Sequence, residues 1–330
     1  LREAVAGYHQ RTQAIACDGD DILIGPGSKE LMFLLQLVYY GDLVIPTPSW
    51  VSYAPQAKII GRQVRWVETC ADEEWRLTPE RLAELAAEDP GRPRLVILNY
   101  PSNPTGGTYR LEKLREIARI AREHRMLMLS DEIYSELHHQ GRHVSIARFY
   151  PEGTIVSSGL SKWCGAGGWR LGTFAFPRPL RWLLEAMASV ASETFTSTST
   201  PIQYAAVRAF HGGPDIETYL RHSRRILAAL GRLLTRRLTA AGANVTTPKG
   251  AFYLFPDFTP LREGLARRGI TTSPQLCERL LDDVGVAILP GTDFGRPPGE
   301  LTARLAYVDF DGGRALDGVN ALGDEKIGPE

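Results

Sequence analysis

Ser157-Ser158-Gly159-Leu160-Ser161-Lys162-Trp163-Cys164-Gly165-Ala166-Gly167-Gly168-Trp169-Arg170-Leu171-Gly172 comes after a short apolar run, Thr154-Ile155-Val156. The apolar run reads as a strand, and the longer stretch as a loop rich in Ser and Gly. Lys162 stands inside that loop, with Arg170 eight residues on. A lysine held in a polar cavity can keep its amine neutral enough to form a Schiff base. Hydroxyls, glycine N–H groups and an arginine fork are the groups a phosphate needs. Lysine and phosphate cradle together suggest pyridoxal phosphate.

On either side of this loop, short apolar runs alternate with amphipathic stretches. Asp21–Ile24, Leu43–Ile45, Val64–Val67, Leu95–Leu98, Met126–Leu129 and Thr173–Phe176 read as further strands. Helices are predicted at Ser28–Tyr40, from about Trp50, at Thr78–Glu88 with Thr78 as cap, and at Leu111–His124. The continuous run Leu95-Val96-Ile97-Leu98 is of the kind buried on both faces of a parallel sheet. This alternation predicts an α/β layer with a mainly parallel sheet. After about Pro177 helices dominate to Ala241. Strands are then expected at Ala251–Phe255, Val286–Leu289 and Leu301–Val308, with a helix at Pro274–Val284. The reading is a large cofactor-binding domain over residues 1–210 and a smaller α+β domain over 211–330.

Four groups of polar residues fall just past the carboxyl ends of predicted strands, the edge where open α/β sheets bind ligands. They are Gly27-Ser28-Lys29 at a helix start, Asn99 to Gly106 with Asn103 inside it, Ser130-Asp131-Glu132-Ile133-Tyr134, and the Lys162 loop. Free N–H groups at the helix start can take a phosphate. Tyr134 stands three residues after Asp131, so on a helical turn both would face one ring.

In this order and register the chain resembles the class I/II aminotransferases, the fold-type-I pyridoxal-phosphate enzymes, and in particular bacterial aspartate-type members. The resemblance extends the α/β layer to a three-layer α/β/α fold and implies that Lys162 carries the cofactor as a Schiff base and then moves a proton. It implies that Asp131 pairs with the ring nitrogen and that Asn103 and Tyr134 bond the phenolic oxygen. It gives Trp50 the role of stacking on the ring, though a tryptophan in the core would read the same way. Gly27, Ser28, Ser161 and Arg170 match the phosphate cradle. Where many members have serine three residues before the lysine, this chain has Gly159, so Ser158 or Ser161 would stand in. Arg304 matches the arginine that clamps a substrate carboxylate, and Lys29 matches a lysine near the distal carboxylate of an acidic substrate. A homodimer, an amino acid and a 2-oxo acid are the implied partners. Family members also carry a segment before the stretch resembling Leu1–Tyr8 and a final helix, so both ends read as short.

Composition sets the remaining bounds. The chain has 330 residues, 43% hydrophobic and 23% charged, with 38 basic residues balancing 38 acidic ones. Nothing in that balance advertises a nucleic-acid or anionic-membrane partner. Cys17, Cys70, Cys164 and Cys277 are far apart, which favours free thiols in a reducing cytoplasm. His138, His139 and His143 read as a solvated loop, and no metal is assigned. Two rivals stand beside the aminotransferase reading. One is another reaction on the same scaffold, such as a β-lyase, decarboxylase or synthase. The other is a non-catalytic aminotransferase-like sensor domain.

Overall fold

Apolar runs that lack polar alternation need cover on both faces, and the computed structural model supplies it. It describes residues 1–330 except 324, 326, 329 and 330. Ten strands form among the described residues, at Ile22–Gly25 (β1), Asp42–Thr47 (β2), Val64–Glu68 (β3), Arg94–Asn99 (β4), Leu127–Asp131 (β5), Thr154–Gly159 (β6), Gly172–Ala175 (β7), Tyr253–Leu254 (β8), Leu289–Pro290 (β9) and Ala303–Ala306 (β10). The helices are Arg2–Gln13 (α1), Ser28–Val38 (α2), Tyr53–Ile59 (α3), Pro79–Glu88 (α4), Leu111–Glu123 (α5), Arg181–Thr194 (α6), Thr200–His211 (α7), Pro214–Ala240 (α8), Arg262–Ala266 (α9), Ser273–Val284 (α10) and Gly312–Leu322 (α11).

The first seven strands make one sheet in the order β1-β7-β6-β5-β4-β2-β3. Only β7 runs against its neighbours. Alternate residues of each strand enter different cores. Leu43, Ile45, Leu95, Ile97, Leu129 and Ile155 pack with Leu31, Leu35, Leu183 and Met187 of α2 and α6. Val44, Val96, Leu98 and Met128 pack with Leu82, Leu114 and Ile117 of α4 and α5. Each fully buried aliphatic side chain contributes about 1.5–3 kcal/mol by leaving water, so these two layers hold the sheet between helices.

A second sheet, in the order β8-β10-β9, is wholly antiparallel. The long helix α8 leads toward it. The strands here are shorter than the sequence predicts. Val286 to Ile288 take no strand structure, and Val286 is exposed. Apolar residues in this part are shared with loop packing, so hydrophobicity alone overstates strand length. The helical stretch to Ala241 is broken twice, at Phe195–Ser199 and at Gly212-Gly213. Near the carboxyl end, where the sequence reading stops short of a helix, α11 forms, with the Asp311 side chain accepting from the Arg314 amide as its cap. Among the described residues no helix is long and apolar enough to cross a membrane.

Candidate active site

Register builds the site. Asn99 pairs with Asp131 across β4 and β5, and Asp131 with Ser157 across β5 and β6. Residues in one such row share a face of the sheet. Three polar side chains thus end the row that Ile97, Leu129 and Ile155 fill with apolar ones. The apolar residues pack against helices, and the polar ones emerge where the strands stop.

A cavity of about 470 Å³ opens there, and its lining includes Ser28, Lys29, Trp50, Asn103, Asp131, Tyr134, Ser161, Lys162 and Arg170. These residues come from separate stretches of chain. Asp131 lies at its buried end. Its Oδ2 accepts from the Tyr53 hydroxyl at 2.5 Å, and its Oδ1 from Ser157 Oγ at 3.4 Å. Burial nevertheless pushes the Asp131 carboxyl up from 3.8 to about 6, against the pull of Tyr53, the Ile133 amide and Ser157. A carboxylate in this condition gains from a cationic partner.

Lys162 is half-buried, with Nζ 5.7 Å from the centre of the Tyr134 ring and 5.9 Å from that of Phe252. Burial lowers its pKa below the ordinary lysine value. Asp131 opposes that shift, and Arg304, Arg170 and Lys29 add to it. Tyr134 does not sit on a helical turn with Asp131, as its spacing suggests. Asp131 is the last residue of β5, and Tyr134 leads into a single 3₁₀ turn over Ser135–Leu137. Its hydroxyl lies 2.8 Å from that of Tyr253 on β8. Trp50 lines the cavity and also packs on the core, edge-on to Tyr53 at 5.2 Å. Lys29 Nζ stands 5.2 Å over the Trp50 ring.

Arg304 approaches from β10. Its Nη1 donates to Asn103 Oδ1 at 3.2 Å, and its guanidinium lies between the rings of Tyr253 and Phe294. Its Nε is buried with no partner among the described residues. An arginine with a donor to spare and a planar fork held by aromatic faces suits a carboxylate.

The anion cradle can be tested on glycines. Gly27 precedes α2 with φ 94°, and a Cβ there would lie 2.0 Å from Arg170 Nη2. A Cβ on Gly172 would lie 2.0 Å from the Ser28 amide nitrogen. No side chain caps α2, so the Ser28 and Lys29 amides at its start are open to an anion beside the Arg170 fork. The Arg170 fork also donates to the carbonyls of Gly167 and Pro26, which holds it in place. Ser161 joins this lining, but Ser158 does not. Alternation along β6 turns Ser158 away from Asp131's row, and its Oγ is sealed without a partner among the described residues.

Several participants escape sequence reading. Asn99 Nδ2 donates to the Asp131 carbonyl, and its Oδ1 accepts the Asn103 amide, so it fixes the loop carrying Asn103. Tyr53 stands three residues after Trp50, and no sequence signal marks its hydroxyl as a partner of Asp131. His143 is also misread as solvated. It is buried and donates from Nε2 to Glu132 Oε2 at 2.8 Å, while Ser130 and Ser145 donate to Oε1. Burial acts to raise the Glu132 pKa, but these donors outweigh it and hold it lowered. Among the described residues no group of three His, Cys, Asp or Glu side chains is arranged to hold a metal.

Replacing Tyr53 with Phe is expected to remove a hydrogen bond to a buried charged group, worth about 1.5–3 kcal/mol. Turnover should fall about tenfold, and Asp131 should titrate above its present value of about 6. Carbon NMR of the Asp131 carboxyl in the apoprotein reads that directly; an unmoved titration would show that Tyr53 does not govern this group.

The family described as aminotransferase class I and II matches residues 1–307. The chain is similar to the aspartate aminotransferase of Geobacillus stearothermophilus, 33% identical over 315 residues that cover 93% of this chain and 77% of that one. It is 34% identical over 297 residues to the aspartate/prephenate aminotransferase of Thermus thermophilus, covering 89% and 73%. The solved structure of Thermus thermophilus aspartate aminotransferase with maleate matches with a TM-score of 0.84 at 32% identity, over 96% of this chain and 79% of that one. Sheet order, polar row and family match agree, and this chain belongs to the class I and II aminotransferases.

Proposed function

We propose that the chain uses pyridoxal phosphate to exchange an amino group between an acidic amino acid and a 2-oxo acid. The observation that carries this reading is the convergence, in one cavity, of a lysine of lowered pKa, a buried carboxylate and an anion cradle. Arg170, Ser28, Ser161 and the amides after Gly27 would hold the phosphate. Trp50 would cover one face of the ring. When bound, the cofactor supplies the carbonyl that takes the amino group and the ring that accepts the electron pair as the Cα proton leaves.

The chain's own residues supply the rest. Asp131 would hold a proton on the ring nitrogen of the bound cofactor. Lys162 Nζ, once free, would carry the proton away from Cα, a role that a pKa lowered by burial favours. Tyr134 and Asn103 would bond the cofactor's phenolic oxygen, and Asn103 Oδ1 also accepts from Arg304. Arg304 binds the α-carboxylate, which orients the bond to be broken.

The wider assignments belong to the same proposal. They comprise a cofactor domain over residues 1–210, a closing domain over 211–330, a homodimer and a reducing cytoplasmic setting. The four unpaired thiols support the last of these. The acidic donor rests on Lys29, whose ammonium lines the cavity beside Trp50. Lys29→Ala should cost L-aspartate about 10- to 100-fold in kcat/KM, the worth of one charged hydrogen bond, and should leave L-alanine nearly unchanged. Parallel losses on both donors would remove Lys29 from substrate recognition. The reading as a whole is tested by the visible spectrum of the cofactor-loaded protein. Addition of L-aspartate should convert the bound cofactor to its amino form, and a spectrum that ignores aspartate and glutamate would overturn the acidic donor.

A further inference from the structure

A second cavity, of about 490 Å³, lies outside the site just described and is lined by Arg76, Tyr109, Arg110, His138, Arg232 and Lys249 among others. One wall comes from the segment between β4 and α5, the other from α8 and the Pro248-Lys249 turn. We propose that this cleft binds a small anion bearing at least two phosphate groups.

Donors here outnumber the acceptors that could satisfy them. Among the described residues Glu74 is the one carboxylate bonded to these cations, and it is already shared: Oε1 is 3.2 Å from Arg76 and Oε2 is 2.8 Å from Lys249. Arg76 directs other donors to the Glu73 and Thr108 carbonyls. Arg110 and Arg232 make no ion pair or side-chain hydrogen bond among the described residues. The Tyr109 hydroxyl accepts from the Leu77 amide, and its own proton has no acceptor there. His138 Nδ1 faces the amides of Gln140 and Arg142, which leaves the ring proton on Nε2, again without a partner among the described residues. Arg110 also precedes α5, whose start has no side-chain cap and adds partial positive charge.

Guanidinium forks match phosphate oxygens in pairs, and lysine adds a point charge. The free forks belong to different walls, so a single phosphate group would leave one unused, and a diphosphate can engage both. The consequence reaches the first cavity. The amides of Lys249 and Gly250 both donate to the Gly106 carbonyl, at 2.8 and 3.1 Å, on the loop that carries Asn103. An anion held between the walls braces that loop.

The test is calorimetric titration of the cofactor-loaded protein with pyrophosphate at fixed ionic strength. A filled cofactor site keeps the phosphate cradle around Arg170 out of the measurement. One saturable site per chain is expected. Binding should weaken at least tenfold in Arg110→Ala/Arg232→Ala. It should persist in Arg81→Ala/Arg267→Ala, which removes the same charge elsewhere. Absence of saturation, or equal weakening in both double variants, would overturn the site. Orthophosphate binding as tightly as pyrophosphate would overturn the ligand class.

Discussion

Lys162→Ala is expected to abolish turnover: kcat/KM should fall by about 10⁴-fold or more, equivalent to about 5 kcal/mol in the barrier. The size of the loss reflects two duties on one atom. Among the described residues Nζ is the only amine that both sits half-buried between Tyr134 and Phe252 and lies in the cavity with Asp131. Lys29, the cavity's other amine, stands over Trp50 and is exposed, so it is poorly placed to substitute. Stability should not fall. Because burial lowers the Lys162 pKa, the folded chain binds this proton less readily than the unfolded chain does. Its contribution to stability therefore rises with pH up to the ordinary lysine range, and below that range the charged form is a cost. Removing it at neutral pH should leave Tm unchanged or slightly raised. Loss of activity with an intact melting curve, and loss of the visible band of the lysine-bound cofactor, is the expected pair. Activity retained within tenfold would end the assignment.

What the sequence makes legible is the framework of this site. The register of strand ends follows from continuous apolar runs, because strands buried on both faces have few ways to pair. Asp131, Asn103, Lys162 and Arg170 can thus be put at one sheet edge from the order of residues alone. Side-chain direction is harder to read. Ser158 and Ser161 look equivalent in a loop, yet β6 continues to Gly159, and its pleat turns Ser158 away. Partners distant in sequence are harder still. Tyr53 meets Asp131 across 78 residues and Arg304 meets Asn103 across 201, and no local pattern encodes either distance. His143 reads as solvated because its neighbours Gly141 and Arg142 are polar-loop residues. Only the fold reveals that Glu132, next to the catalytic candidate, points into the same buried pocket. The small sheet is misjudged in length because its apolar runs extend past its strands: Phe255 lies beyond β8 and packs edge-on to Trp75, and Val286, before β9, is exposed.

The second large effect is expected from Asp131→Asn, which keeps the shape of the side chain and removes its charge. Turnover should drop about 10³-fold, about 4 kcal/mol, because an amide cannot hold a proton on the ring nitrogen. The cofactor should still bind, since Lys162, Arg170 and the amides after Gly27 are untouched. The apoprotein supplies an independent readout. Burial raises the Asp131 carboxyl from 3.8 to about 6 in the folded chain, so the folded state binds this proton more tightly than the unfolded state does. Stability from that proton is fully present below about pH 4 and is lost as pH rises through about 6. A shift of this size corresponds to about 3 kcal/mol between the two protonation states. Asp131→Asn has no such loss. Its apoprotein should therefore melt higher, relative to the unsubstituted chain, at pH 7.5 than at pH 4.5. Adding cofactor should close the gap, because a cationic ring relieves the buried charge in the unsubstituted chain alone. Melting curves that differ equally at both pH values would mean that Asp131 is not a strained carboxylate waiting for a cation. In that event the role given to it in catalysis would lose its physical basis.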